Sequence, residues 1–172
     1  MSRFEDSIDI DVPVRVAYDH WTQFEDFPRF MEGVESVVQR DDRLLDWVAT
    51  VAGKRKEWTA EIVDQTPDKR IAWKSIDGAE NAGAVLFEPL GPDRAKITLR
   101  LDAEPEGPIE AVGDALGFLK RRVSGDLQRF QEWVEGEAPP VDGWRGEIHG
   151  TEVIDEDGAR PGATAGSPER RS

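Results

Sequence analysis

The sequence contains few residues with the chemistry of a catalytic or metal-binding site. It has two histidines, His20 and His149, and no cysteine. His20 stands beside Trp21 on a short predicted helix, as a surface histidine does, and His149 lies in a segment rich in glycine and charge. Two histidines in these positions do not build a His-rich metal site or a histidine-based catalytic triad. The sequence therefore predicts neither a metal site nor a catalytic residue.

Signals for phosphate binding are also missing. Neither a Walker loop nor a GxGxxG motif is present, so no nucleotide or nicotinamide cofactor is indicated. The basic run Lys54-Arg55-Lys56 follows a hairpin turn and is most simply a solvated corner. The formal net charge is −14, from 36 acidic and 22 basic residues, and such a chain repels polyanions. We expect no cofactor, no nucleic-acid partner and no contact with anionic membranes.

Large apolar side chains are the more prominent feature. Residues 23–37, QFEDFPRFMEGVESV, place three phenylalanines and a methionine around Pro28. We call residues 23–37 the Phe-rich segment. Three tryptophans also lie in alternating stretches, and such rings either fill a core or line an apolar pocket. Both readings stay open. The candidate ligand-binding residues are Phe24, Phe27, Phe30, Met31, Trp47, Trp58, Trp73, Ser75, Val85, Phe87, Leu99, Leu116 and Leu119.

The elements that must position these residues follow from periodicity. Apolar and polar residues alternate in seven stretches, separated by turn signals such as Ala52-Gly53-Lys54 and Thr66-Pro67-Asp68. Two short helical pieces follow the first stretch, and the other six predict an antiparallel meander. The predicted strands are Phe4–Val12, Val34–Gln39, Arg43–Val51, Glu57–Val63, Arg70–Ser75, Gly83–Glu88 and Ala95–Asp102.

The pattern then changes to a helical one. From Ile109 to Val134 apolar residues recur every three or four positions, which predicts one amphipathic helix of about seven turns.

Beyond the helix the composition changes again. Residues 137–172 are rich in glycine, proline and charge, and they bury too little apolar surface to offset the entropy of ordering. We therefore expect a folded domain over residues 1–136 and a disordered acidic tail over residues 137–172. Around Trp144 this tail carries an aromatic anchor that could dock on a protein partner, fold back on the domain or serve as an inert linker.

This order of elements resembles the helix-grip fold of the START/Bet v 1-like (SRPBCC) superfamily, in particular its polyketide cyclase/dehydrase and coenzyme-Q-binding branch. The resemblance spans about residues 1–135 and implies an α+β fold, in which a curved antiparallel sheet wraps around the long C-terminal helix. Two short helices would close one end of a cavity between them. The stretches that carry it are PVRVAYDHWTQFEDFPRFMEGVESV, IAWKSIDG, AGAVLFEPL and the final helix.

The resemblance implies a role for the Phe-rich segment. Its apolar residues would lie at the cavity mouth and move about Pro28 and Gly33 as a gate, unless they simply seal the core. On the gate reading, Phe30→Ala should alter ligand on- and off-rates more than the fold. Truncation of Leu116 should destabilise the domain by roughly 2–5 kcal/mol.

Catalysis has weaker support. Aromatase/cyclases of this superfamily carry a Trp-x-Ser-x-Arg pattern, which this sequence matches at Trp73 and Ser75 but not at Asp77. A carboxylate would oppose a developing enolate. Arg29 or Arg122 would have to replace the missing arginine, although both are more simply surface residues.

The most economical hypothesis is therefore a non-catalytic protein that binds or transports a small hydrophobic molecule such as a lipid, quinone or polyketide. An aromatase/cyclase and a protein-interaction module are the alternatives. Tyr18, the one tyrosine, lies either in the pocket or on the helix surface. No stable membrane insertion is expected, and the absence of cysteine fits a cytoplasmic protein.

Overall fold

The computed structural model describes residues 2–51, 53–103 and 109–154. Among them are nine strands. In chain order these are β1 (Ser2–Ile10), β2 (Val34–Gln39), β3 (Leu44–Val51), β4 (Lys54–Thr66), β5 (Arg70–Gly78), β6 (Asn81–Gly91), β7 (Arg94–Ala103), β8 (Glu147–His149) and β9 (Glu152–Ile154).

The helical elements stand where the periodicity changes. Helix α1 (Val14–Trp21) begins after Pro13, as suits a residue whose φ angle is already helical. The Phe-rich segment begins with a 3-10 helix (Phe24–Arg29) that contains Pro28. Helix α2 (Ile109–Glu132) continues into a π-helical turn (Trp133–Glu137).

The strands form one antiparallel sheet, ordered β1-β7-β6-β5-β4-β3-β2. Strands β2 to β7 are successive neighbours, so the predicted six-stranded meander is confirmed. Strand β1 adds to β7 at one edge, and α2 packs against β1 and β7. A curved antiparallel sheet with a C-terminal helix against it is the helix-grip architecture that the sequence predicts.

Two irregularities in the pairing of β4 with β5 explain why the predicted strands end too early. The pairing of β4 with β5 shifts register between Thr59 and Ala60 and again between Ile62 and Asp64. Each shift moves one residue out of the alternating pattern. As a result β4 runs to Thr66 and β5 to Gly78, beyond the points where period-two alternation stops.

The C-terminal segment differs from the prediction. Residues 143–154, which we call the strap, pack on the domain: β8 pairs with β4 at Asp64 and Gln65, and β9 pairs with β8. Ile148 is fully buried in the core. Composition predicts disorder from residue 137, and this packing leads us to propose instead that the folded domain includes the strap; residues 155–172 lie outside the described residues. The helices of the described part include none that is long and apolar enough to cross a membrane.

Candidate functional site

The sheet face turned toward α2, the inner face, can be traced from one hydrogen bond. The hydroxyl of Ser124 on α2 donates to the carboxylate of Asp6 on β1 at 2.6 Å. Directly paired residues on neighbouring strands share a face. From Asp6 that face continues across the sheet through Leu99, Val85 and Ile71.

The three strand tryptophans lie on this inner face. Trp73 is the cross-strand partner of Ile62 on β4, which is fully buried. Trp58 stands two positions from Ala60 on β4, and its partner Trp47 stands two positions from Leu45, the partner of Ala60, on β3. Trp47 is buried, whereas Trp58 and Trp73 are only partly buried and pack against the edge of the core. The structure thus brings the predicted tryptophans to one wall.

Trp47 and Trp58 form a stacked pair. Their ring centroids are 5.5 Å apart with planes 12° from parallel, and the Trp47 ring also contacts Phe27 at 5.6 Å. Both indole nitrogens are buried, and neither has a hydrogen-bond partner among the described residues. Two neutral donors on an apolar wall could orient a guest that carries an acceptor.

Trp73 depends on a glycine on the adjacent strand. A Cβ atom at Gly83, its cross-strand partner, would lie 2.5 Å from Cζ2 of Trp73. The indole of Trp73 therefore lies against the backbone of β6 at Gly83, in space that a side chain at that position would occupy. The hydroxyl of Ser75, on the same face, accepts a hydrogen bond from the backbone N–H of Asn81 at 3.0 Å.

The structure describes the side chains of only some of the remaining apolar candidates. Val85, Phe87 and Leu99 are buried on the inner face. The side chains of Leu116 and Leu119, on α2, lie outside the described residues, so their contacts stay predictions.

The Phe-rich segment is buried rather than open. Phe24, Phe27, Phe30 and Met31 are each at most 8% exposed. The Phe30 ring stacks on Trp133 at 5.7 Å and meets Phe130 edge-on at 5.0 Å. Trp21 lies against the same Phe130 ring at 4.6 Å. The segment thus seals this end of the core through a continuous aromatic cluster.

Polar contacts hold the end of this segment to α2. The backbone N–H of Glu32 donates to Asp126 at 3.1 Å, and the Arg129 guanidinium donates to the carbonyl of Phe30 at 2.9 Å. Arg129 also donates to Asp126 at 2.5 Å. Burial raises the pKa of Asp126 to about 6, although these hydrogen bonds and the nearby charges of Arg129 and Arg122 lower it.

This raised pKa predicts a pH-dependent stability. A carboxyl group that titrates at about 6 when folded and at 3.8 otherwise binds more protons in the folded state. The contribution of Asp126 to the free energy of unfolding should therefore fall as pH rises from about 4 to about 6, by up to roughly 3 kcal/mol. Urea unfolding of wild type and Asp126→Asn at pH 4 and pH 7 measures it. The free energy of unfolding of Asp126→Asn, relative to that of wild type, should be higher at pH 7 than at pH 4. An equal difference at the two pH values would contradict the prediction.

Two predictions for α1 need correction. His20 is only 3% exposed and meets Trp133 edge-on at 5.2 Å, so it is not a surface histidine. Its burial lowers its pKa. Tyr18 is fully buried, which excludes the helix-surface alternative, and burial raises the pKa of its phenol. Both side chains turn inward because α1 packs against β6 and β7.

The strap was missed as a packed element, and it is anchored by an ion-pair cluster. Arg145 bridges Asp19 on α1 and Asp68 in the β4–β5 turn, with nitrogen–oxygen distances of 2.6 Å to each. Its guanidinium carbon also lies 5.3 Å from the centre of the Tyr18 ring. The sequence carried one local signal, because Gly150-Thr151 separates the short alternating stretches EIH and EVI as a hairpin turn does.

The strap also borders a surface cleft. The cleft has a volume of about 410 Å³ and lies between the strap, the 3-10 helix and the β2–β3 turn. Among the candidate ligand-binding residues of the Phe-rich segment, Phe24 borders this cleft. The cleft is lined by Thr22, Phe24, Glu25, Gln39, Asp41, Asp42, Gln65 and Trp144.

The residues considered for catalysis are not gathered at the inner face. The register shift between β4 and β5 makes Asp77 the partner of Thr59 rather than of Trp58, and the hydroxyl of Thr59 donates a hydrogen bond to Asp46 on the outer face. Asp77 is exposed there. Arg29 is exposed, and Arg122 donates to the backbone carbonyl of Thr50 at 3.3 Å.

Comparison with known proteins shows what this chain is similar to. Residues 10–132 match the family model described as polyketide cyclase/dehydrase and lipid transport. An uncharacterised 17.2 kDa protein from the melC2–rnhH intergenic region of Streptomyces lincolnensis is 49% identical over 149 residues, 86% of this chain and 99% of that protein.

Solved structures extend the likeness in fold. The Zhui aromatase/cyclase of Streptomyces sp. R1128 superimposes with a TM-score of 0.66 at 15% identity, over 78% of this chain and 93% of that one. A START superfamily protein from Mycobacterium smegmatis gives 0.64 at 15% identity, over 77% and 98%. At these identities the likeness concerns the fold alone.

Proposed function

Because the chain belongs to the polyketide cyclase/dehydrase and lipid transport family of START-like proteins, we propose that it binds or transports a small hydrophobic molecule between the inner face of the sheet and α2. One observation carries the proposal. Trp58 and Trp73 stand on the inner face of two central strands, yet both are only partly buried. Neighbouring residues on that face, such as Ile62 and Val85, are fully buried. The exposed parts of the two indoles offer apolar surface to a guest, worth roughly 25 cal/mol per Å² buried before the costs of binding.

The proposed binding is not catalytic. The position that resembles the arginine of the aromatase/cyclase pattern holds Asp77, whose register partner Thr59 belongs to the outer face. Arg29, one of the two arginines considered as its replacement, is exposed and lies 3.7 Å from Asp26. These placements support binding over cyclisation of a poly-β-ketone. The net charge of −14 supports a role without nucleic-acid contact, because like charges repel.

Gly83→Ala tests the proposal. The added methyl group would meet the Trp73 ring at 2.5 Å and the backbone oxygen of Arg100 at 2.7 Å, so the indole must move into the proposed binding space. We expect the affinity for the neutral fluorescent probe N-phenyl-1-naphthylamine to fall about tenfold or more, a loss of about 1.4 kcal/mol. Fluorescence titration measures it, with urea unfolding to verify that the variant is folded.

Gly91→Ala is the matched control. Gly91 lies in β6 as well, but a Cβ atom there has nothing within 4 Å. Its affinity for the probe should equal that of wild type. The proposal fails if wild type shows no saturable binding, or if a folded Gly83→Ala variant binds as well as wild type.

A further inference from the structure

The stacked tryptophans of the inner face carry more information than apolar area. Trp47 is 8% exposed, and the indole nitrogens of both Trp47 and Trp58 are buried with no acceptor among the described residues. Buried donors without a partner are rare in folded proteins, and each one requires an explanation. Here two of them occur on adjacent rings.

Packing alone does not explain the two N–H groups. The stack needs two flat rings at 5.5 Å, and a phenylalanine at either position would give a flat apolar ring without a donor to desolvate. Trp47 and Trp58 are also direct partners across β3 and β4, so the strands fix both indoles in one place on the wall. Two neighbouring donors on rigid strands have the form of a hydrogen-bonding subsite.

The surroundings limit what such a subsite accepts. Phe27 contacts the Trp47 ring, and Ala60 and Leu45 continue the same face as buried apolar residues. Lys56 continues this face two positions from Trp58 but is only partly buried, so a carboxylate or phosphate held at the indoles would lose its hydration among apolar residues, which is costly. A neutral oxygen acceptor, by contrast, needs only the donors that the indoles provide.

We propose that the Trp47–Trp58 pair is the polar recognition subsite of the pocket, and that the guest is a neutral ring compound with a carbonyl oxygen that accepts a hydrogen bond from these indole N–H groups. The inference rests on the proposed function and narrows it. It favours a ketone or quinone over a guest recognised through an acyl chain alone, because a hydrocarbon chain leaves both donors unpaired.

A matched pair of probes isolates the oxygen. Fluorene and 9-fluorenone have nearly the same shape, and they differ in a CH₂ group against a C=O group. Fluorenone is the less hydrophobic of the two, so apolar burial alone favours fluorene. We expect wild type to bind fluorenone at least about tenfold more tightly than fluorene, as measured by isothermal titration calorimetry.

Conservative variants assign the preference to residues. Trp47→Phe/Trp58→Phe should keep the rings and lose the preference for fluorenone, whereas Trp144→Phe, on the strap, should retain it. The single variants replace the double one if that does not fold. In wild type, the indole N–H proton signals of Trp47 and Trp58 should move downfield with fluorenone and not with fluorene.

The outcomes separate this inference from the function on which it rests. Absence of binding by both probes overturns the proposed function and the subsite together. Equal affinity for the two probes overturns the subsite and leaves the apolar pocket intact. A preference for fluorenone that survives in the double variant overturns the assignment to Trp47 and Trp58.

Discussion

Phe30→Ala is expected to lower the free energy of unfolding by roughly 3–5 kcal/mol, the range for removing a buried aromatic ring from a packed core. Phe30 is only 1% exposed. The ring holds the Phe-rich segment, α1 and α2 together, so its loss leaves a cavity that none of the three can fill alone. Its centroid lies between 5.0 and 5.7 Å from the rings of Trp21, Phe27, Phe130 and Trp133.

Urea unfolding followed by circular dichroism measures this loss. Leu90→Ala provides a control, because Leu90 is 43% exposed and its truncation should change stability by less than about 0.5 kcal/mol. The expectation from sequence, that Phe30→Ala alters ligand rates more than the fold, does not suit a ring buried this deeply. A loss below about 1 kcal/mol together with faster ligand exchange would restore the idea of a mobile gate.

The Phe-rich segment shows where sequence reasoning reaches its limit. The run of aromatic residues around Pro28 indicates a special segment, and its 3-10 helix with an internal proline agrees with that. The partners that bury it, Phe130 and Trp133, stand a hundred positions later, at the end of α2 and in the π-helical turn after it. Local periodicity gives no distance between such residues, so from the sequence alone a core-sealing role remained open beside the cavity-mouth role.

The fold was more accessible to prediction than the site because each strand carries its own signal. Period-two alternation located all seven strands from β1 to β7, and the change of period located α2. What alternation missed is the register of pairing. One register shift separates Asp77 from the face of Trp58, and a motif match by spacing alone cannot detect such a shift.

Sequence analysis also missed residues whose partners are distant in the chain. In the sequence Asp126 looks like any acidic residue on a helix surface, yet it accepts a hydrogen bond from the backbone N–H of Glu32. Arg145 stands in a segment whose composition indicates disorder. Neither position can be interpreted without knowing which groups the fold brings opposite it.

Arg145→Met is expected to destabilise the protein by roughly 3–5 kcal/mol, the range for removing one partner of a buried ion pair. The Asp19 side chain is 6% exposed and that of Arg145 is 18% exposed, so water replaces the guanidinium poorly. Among the described residues, the other cation paired with Asp19 is Arg15, 3.7 Å away and with a side chain that is 65% exposed. The strap would also lose its contact with the Tyr18 ring, and β8 would be held by its short pairing with β4 and by the burial of Ile148.

Arg94→Met is the matched control, because Arg94 also bridges two aspartates, Asp9 at 3.5 Å and Asp11 at 3.2 Å, but every partner is at least 50% exposed. Surface pairs of this kind contribute about 0–1 kcal/mol. Urea unfolding of both variants therefore compares the same chemistry at two depths of burial. We propose that the folded unit includes the strap. If Arg145→Met costs no more than Arg94→Met, the strap does not stabilise the domain, and the boundary at residue 136 predicted from composition is the better description.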